Sequence, residues 1–249
     1  PESTSMKGDH FVGKYYVRYN TELQKEVAEL VSQGVNKKEA EKTAPIAQAV
    51  QEMTIQWEAG NEEVISLWNT MNNWVYDGFE TTFKNIGVDF EKHYKESDYY
   101  LKGKNFIMEG VDKGIFHKKD DGAIFADLTD DGLDEKILIR ADGTSVYITQ
   151  DMGIAQARYE DYNFDQMIYV VGQEQDYHFQ VLKQVIKKLG NDYSDSIMHF
   201  SYGMVSLPEG KMKSREGTVV DADDLIHSMI DTATEHTKEL GKVDDLAAE

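Results

Sequence analysis

The sequence predicts an α/β protein, with a largely parallel sheet, an inserted antiparallel unit and a helical N-terminal segment. Three observations carry this prediction. Apolar residues recur at helical spacing through the first third of the chain. Three Asp-Gly pairs, Asp121-Gly122, Asp131-Gly132 and Asp142-Gly143, then separate short apolar runs. Beyond them, strand-like runs alternate with a helical pattern, the order expected of βαβ units. The 249 residues are 40% hydrophobic and 11% aromatic, which is enough apolar side chain to build a core and argues against disorder.

In the first third, Leu23, Val27, Leu30 and Val31 share one helical face. Ile46, Val50, Met53 and Trp57 share another, behind the start signals Thr43 and Pro45. Val64, Trp68, Met71, Val75 and Phe79 form a third stripe that stops near Gly87. Trp57, Trp68 and Trp74 are conceivable as base-stacking platforms, but their helical spacing beside Leu, Ile and Met favours core packing.

The period then changes. VDFEKHY at 88–94 is a short strand candidate. GIFHKK, AIFADL, EKILIR and TSVYITQ, parted by the Asp-Gly pairs, read as an antiparallel meander. The spacing of Asp127, Thr129, Asp131 and Gly132 resembles half a calcium loop, yet Leu138 stands where a bidentate Glu is required, so a hairpin turn is the better reading. MIYVVG at 167–172 reads as a buried strand, followed by a helix lined by Phe179, Leu182, Ile186 and Leu189 and ending at Gly190. IMHFSYGMVSL at 197–207 is a further apolar run. In VVDADD, Asp221 is placed to cap a last helix, and Asp223 and Asp224 fall in its first turn, where capping is the default over acid–base chemistry.

The charge narrows the function class. With 26 Lys+Arg against 46 Asp+Glu, the net charge of −20 argues against tight, autonomous nucleic-acid binding. The acidity is uneven: −2 over residues 1–60, −8 over 61–136, −6 over 137–226 and −4 over 227–249. The absence of cysteine removes disulfides, thiolate nucleophiles and cysteine zinc sites, and fits a reducing cytoplasm. No run approaches the roughly 18 apolar residues of a membrane span, and the N-terminus has no signal-peptide pattern. It has no initiator Met either, so a cut within a longer chain is expected. The seven histidines show no metal-binding spacing, and no metal site is expected.

In an open parallel sheet, ligands bind beyond the carboxyl ends of the strands. Those places hold Lys95-Glu96-Ser97, Gln150-Asp151, Gln173-Glu174-Gln175-Asp176 and the loop 208–217. Strand period puts Tyr147, Thr149 and Asp151 on one side. Glu96, Tyr147, Asp151 and Gln175 together would suit a cationic, donor-rich ligand, and guanidinium is one. Singly, each reads as a solvated loop-end residue. His178, one turn past Gln175, is placed either toward this cleft or as an ordinary helix residue. The loop KMKSREG gathers Lys211, Lys213 and Arg215 between Gly210 and Gly217, and cations of this kind stabilise charge in phosphoryl or nucleotidyl transfer. Neither GxxxxGK[ST] nor GxGxxG is present.

In their order and spacing, DGTSVYITQDMGIAQARYEDYNFDQMIYVVGQEQDYHFQVL and HFSYGMVSLPEGKMKSREGTVVDADDLI resemble arginyl-tRNA synthetases, a family of class I aminoacyl-tRNA synthetases. The likeness covers most of 76–226 and is less distinctive over 1–75. It implies the second half of a Rossmann-like nucleotide-binding catalytic domain (76–226, β insertion at about 97–143). A helical segment (1–75) would precede this core, and the start of a link to an anticodon-binding domain (227–249) would follow it.

The resemblance also implies roles. Glu96, Tyr147, Asp151 and Gln175 would hold L-arginine. The Gly203-Met204-Val205 backbone would meet adenine. Lys211, Met212, Lys213, Ser214 and Arg215 occupy the place of the KMSKS loop over ATP phosphates, with Lys211, Lys213 and Arg215 as the catalytic cations. ATP with Mg2+, L-arginine and tRNA(Arg) are the implied substrates, and a cytoplasmic monomer with no membrane partner is expected.

Two departures stand out. Ser214 replaces the usual second lysine, and Gln150 stands where many relatives have a basic residue. The HIGH signature appears nowhere in the sequence, so an internal fragment, inactive alone, is expected. A synthetase-like arginine or nucleotide sensor and a helical interaction module are the competing readings. The ordered acceptors and the cationic loop disfavour the module, and a HIGH motif upstream in the gene would separate enzyme from sensor.

Overall fold

In the computed structural model the first third of the chain is helical, as its stripes predict. The structure describes residues 2–208, 210–213, 217 and 219–240. Helices α1 (Gly8–Ser32), α2 (Lys37–Thr43), α3 (Pro45–Glu58) and α4 (Glu62–Asn85) follow one another. Their boundaries come from local chemistry. Asn36 Oδ1 accepts the Lys38 amide at the start of α2. Pro45 sits in the first turn of α3, where its missing N–H costs nothing. Asn61 Oδ1 accepts the amides of Glu63 and Val64 at 3.1 Å and opens α4. Gly87, at φ +71°, ends the C-terminal turn of α4 in the left-handed region that a side chain would disfavour.

Val27 of α1 is buried against Ala40 and Ala44, with Leu23 and Leu30 packed around them. The tryptophans serve packing. Trp57 and Trp68 meet edge to face at 5.3 Å, and Trp74 meets Phe11 at 5.7 Å.

The segment 88–94 is not a strand. It runs as a connector in which Val88 and Phe90 are exposed, because its β-forming residues find no ladder to join. Next come α5 (Glu96–Asp112), β1 (His117–Lys118), β2 (Ile124–Ala126), β3 (Lys136–Ile139), α6 (Tyr147–Tyr162), β4 (Met167–Gly172), α7 (Asp176–Lys188) and β5 (Ile197–Tyr202). Since α5 fills 96–112, antiparallel pairing is confined to the later part of the stretch 97–143 and its edge, in the order β1-β2-β3. The Asp-Gly turns work as expected. Asp121 Oδ1 accepts the Ala123 amide at 3.0 Å, and Asp142 Oδ1 accepts the Thr144 amide at 2.9 Å. Asp127 uses its carboxylate on Thr129 N and Oγ1 at 3.0 and 2.6 Å, which is turn chemistry.

TSVYITQ is a second correction. Only an isolated bridge, Ile139 to Ser145, continues the meander, and from Tyr147 the chain is helical. Thr149 explains the switch. Its Oγ1 donates to the Leu138 carbonyl at 2.5 Å and accepts from the Val146 amide at 3.4 Å, closing the first turn of α6. Gln150, Met152, Ala155, Gln156, Ala157 and Arg158, all good helix formers, then continue it.

β4 and β5 are parallel, in register from Met167 opposite Ile197 to Gly172 opposite Tyr202, and α7 is their crossover. The run 167–172 is buried on one face only. Ile168, Val170, Met198 and Phe200 are exposed, because α7 covers a single side of this two-stranded sheet. Ile107, Leu128, Leu138, Met152, Leu182, Val185 and Ile186 form the core here.

The described residues group into two compact units, 90–205 being one and the residues before 90 together with those from 206 onward the other. The latter also holds a short hairpin, β6 (Ser206–Leu207) and β7 (Gly210–Lys211), and the helix α8 (Ala222–Glu239), which Asp221 caps through the Asp223 amide at 2.8 Å. Among the described residues, no helix is long and apolar enough to cross a membrane.

Candidate functional site

The geometry of the unit 90–205 is set by a close crossing of α5 on α6. A Cβ on Gly103 would lie 1.8 Å from the Thr149 carbonyl oxygen, and one on Gly153 would lie 2.3 Å from that of Tyr99. Only glycine lets the two backbones meet in this way. Ascending α5 runs against descending α6, so the helices are antiparallel.

Tyr147 and Asp151 lie one turn apart on α6 and therefore share a face. Thr149, expected beside them, is buried at 0% exposure and belongs to the core. Tyr147 opens the helix and is 76% exposed. Asp151 is half-buried, and its Oδ2 accepts from His178 Nε2 of α7 at 2.6 Å. Gln175 is exposed at the mouth of α7, three residues before His178, on the turn that follows β4. The α6–α7 contact thus joins Asp151 to His178, with Tyr147 one turn before Asp151 on α6 and Gln175 one turn before His178 at the start of α7.

Glu96 is exposed in the first turn of α5. It lies one turn before Tyr99, whose carbonyl lies against Gly153, and makes no hydrogen bond to Tyr147, Asp151 or Gln175. The segment leading into α5 is tied to α6 by Tyr94 Oη, which donates to Asp161 Oδ2 at 2.5 Å, and by a Lys92–Asp161 ion pair. Burial first, and the Asp161 hydrogen bond second, push the Tyr94 phenol up to about 12. Gln150 Oε1 is buried with no hydrogen-bond partner among the described residues.

His199, within β5, links β4 to the start of α7, with Nε2 at 2.9 Å from the Val171 carbonyl and Nδ1 at 3.1 Å from Asp176 Oδ1. Directly beyond β5, Gly203, Met204 and Val205 form an exposed, irregular segment. Lys211 ends β7, and Met212 and Lys213 follow it, both exposed. Ser214 and Arg215 lie outside the described residues.

Sequence reasoning missed a second polar cluster. Lys7 Nζ donates to Asp223 at 2.5 Å, to Asp9 at 3.0 Å and to Thr82, while His10 Nε2 lies 3.0 Å from Asp221 and 3.3 Å from Asp223. Asp9, His10 and Asp223 are close enough together to hold a metal ion. The Lys7 ammonium already supplies the cation there, and its hydrogen bond is the main cause holding the Asp223 carboxyl below its usual range. The signal available in the sequence was only the polar start of α1 and the acidic start of α8.

Comparison with known proteins shows the family of the chain. Residues 13–249 match the family model described as tRNA synthetases class I (R), catalytic domain. The chain belongs to that family. Arginine–tRNA ligases of Bacteroides fragilis and Amoebophilus asiaticus are 58% and 56% identical to it over 249 residues. The chain spans 42% of the length of each of these relatives. Among solved structures, arginyl-tRNA synthetase of Plasmodium falciparum superposes with a TM-score of 0.60 at 18% identity, covering 81% of this chain and 35% of that one. The Thermus thermophilus enzyme gives 0.54 at 12% identity, covering 94% and 45%. These likenesses establish a shared α/β fold.

Proposed function

We propose that this chain is part of an arginine–tRNA ligase and forms the second half of its Rossmann-like nucleotide-binding catalytic domain. In the reaction, the arginine carboxylate attacks the α-phosphorus of Mg-ATP. Arginyl-adenylate forms, pyrophosphate leaves, and the arginyl group then passes to the 3′ ribose of tRNA(Arg). No enzyme nucleophile is needed, so positioning and charge stabilisation carry the catalysis.

The observation that carries the reading is the placement of Asp151. It is half-buried, one turn from Tyr147, and held against the helix that Gln175 opens. In this reading the Tyr147 phenol and the Gln175 amide oxygen join that carboxylate beyond a parallel strand, where such sheets take ligands. Guanidinium offers five N–H donors in a plane and no acceptor, which matches this acceptor set. Glu96, from the start of α5, would supply the second carboxylate. An ammonium cannot satisfy acceptors arranged for a planar fork, and acceptors left unpaired on burial are costly.

The exposed Gly203–Val205 backbone would meet adenine. Lys211, Met212, Lys213, Ser214 and Arg215 would form the loop over the phosphates, with Lys211, Lys213 and Arg215 meeting the charge that develops there. The working protein is placed in the cytoplasm as a monomer, and the 249-residue chain by itself is proposed to be inactive in adenylation. Asp151→Asn in the full-length protein removes a charged acceptor worth about 1.5–3 kcal/mol, a loss of tenfold or more in arginine affinity. Unchanged affinity by calorimetry would contradict the assignment.

A further inference from the structure

We infer that His178 is a positioning residue for arginine selection, fixing the plane of the Asp151 carboxylate so that one oxygen is turned toward the substrate head group. This rests on the reading that Asp151 holds the guanidinium. The contact is specific: His178 Nε2 lies 2.6 Å from Asp151 Oδ2, the residues come from different helices, and both side chains are about one quarter exposed, at 26% and 27%.

An ionised carboxylate only accepts hydrogen bonds, so the proton of the pair sits on Nε2. The Nε2–H donates this bond. It occupies Oδ2 and leaves Oδ1 as the acceptor for an incoming donor.

Rigid support explains why this contact orients the carboxylate. Asp151 is placed by α6, whose neighbours Met152, Gly153, Ile154 and Ala155 are all buried. His178 is placed by α7, next to Phe179, which is 6% exposed and meets the imidazole edge to face at 5.5 Å. The edge-to-face contact with Phe179 favours this orientation of the imidazole. An aspartate side chain alone rotates freely about its terminal torsion. A fixed donor on one oxygen sets the direction in which the other presents, and planar guanidinium recognition depends on that direction. A compact ammonium, with three freely rotating donors, depends on it far less. His178 thus favours arginine over lysine without touching either.

The test compares His178→Leu, His178→Gln and Asp151→Asn in the full-length protein carrying this chain, by steady-state arginine-dependent ATP–pyrophosphate exchange with tRNA supplied. Leucine removes the donor, whereas the glutamine amide nitrogen reaches about as far as Nε2. His178→Leu is expected to raise KM for arginine on the order of tenfold while leaving KM for ATP within about twofold, and His178→Gln to recover most of the loss.

If Asp151→Asn raises KM for arginine while His178→Leu leaves it unchanged, the positioning role is overturned and the site reading survives. If Asp151→Asn is also silent, the site reading fails and the inference with it. Equal increases in KM for arginine and ATP would mark a general structural defect and overturn the role. Should the leucine variant not fold, His178→Asn, whose shorter amide cannot reach Oδ2, replaces it; equal KM values for the Asn and Gln variants would then refute the inference.

Discussion

The α5–α6 crossing gives the most demanding test of the architecture that carries Asp151. Gly103→Ala would place a methyl group 1.8 Å from the Thr149 carbonyl oxygen, whereas real Cβ atoms essentially never come under 3.0 Å. The obstacle is backbone, so relief requires the helices to part by more than about 1 Å. Overpacking of this kind costs about 3 kcal/mol, the upper end of its usual range, and the gain in helix propensity returns about 1 kcal/mol. A net destabilisation of about 2 kcal/mol is expected. Gly13→Ala is the matched control. Gly13 is exposed in α1 with nothing within 4 Å of an added Cβ, so the same substitution should stabilise by about 0.5–1 kcal/mol. Urea unfolding of the 249-residue chain, followed by far-UV circular dichroism, reads both changes. A Gly103→Ala midpoint at or above that of the parent would refute the close crossing.

Further outcomes follow from burial and charge. Leu182→Ala, at a fully buried position of α7, should cost about 2–5 kcal/mol in the same assay, while Leu225→Ala, at 52% exposure, should change little. Asp223 is held below its ordinary pKa of 3.8, chiefly by the Lys7 hydrogen bond. A carboxyl depressed in the folded state stabilises above the unfolded value and loses that contribution as pH falls through the folded one. Stability should therefore drop as pH falls below about 4, and Asp223→Asn should flatten that drop in an acid titration. An unchanged acid transition in the variant would show that the Lys7 cluster contributes nothing.

Much of this architecture was legible because the deciding forces are local. Apolar stripes gave α1, α3 and α4, Pro45 and Asp221 marked helix starts, and the Asp-Gly pairs marked the turns. The errors at 88–94 and 144–150 share one cause. Both segments are rich in β-branched or aromatic residues, and local content cannot tell whether a neighbouring strand exists to pair with. At Val88–Phe90 none does. At Tyr147, the contact of Thr149 with the Leu138 carbonyl begins a helix instead.

The grouping of Tyr147 with Asp151 survived that error for a geometric reason. A separation of four residues returns to the same face in a strand and in a helix alike. Thr149, two residues along, does not, and it went into the core. The His178–Asp151 contact spans 27 positions and arises only when α7 docks on α6. The sequence puts His178 either toward the cleft or among ordinary helix residues, and nothing local chooses between the two; the Lys7–Asp223 contact, 216 positions apart, is hidden altogether.

Amino-acid specificity tests the central claim most directly. With the full-length protein and tRNA supplied, ATP–pyrophosphate exchange is measured with arginine, lysine and citrulline. Acceptors at Glu96, Tyr147, Asp151 and Gln175 that select a charged planar fork predict exchange with arginine and almost none with the other two. Lysine or citrulline supporting exchange at a kcat/KM comparable to that of arginine would contradict the account.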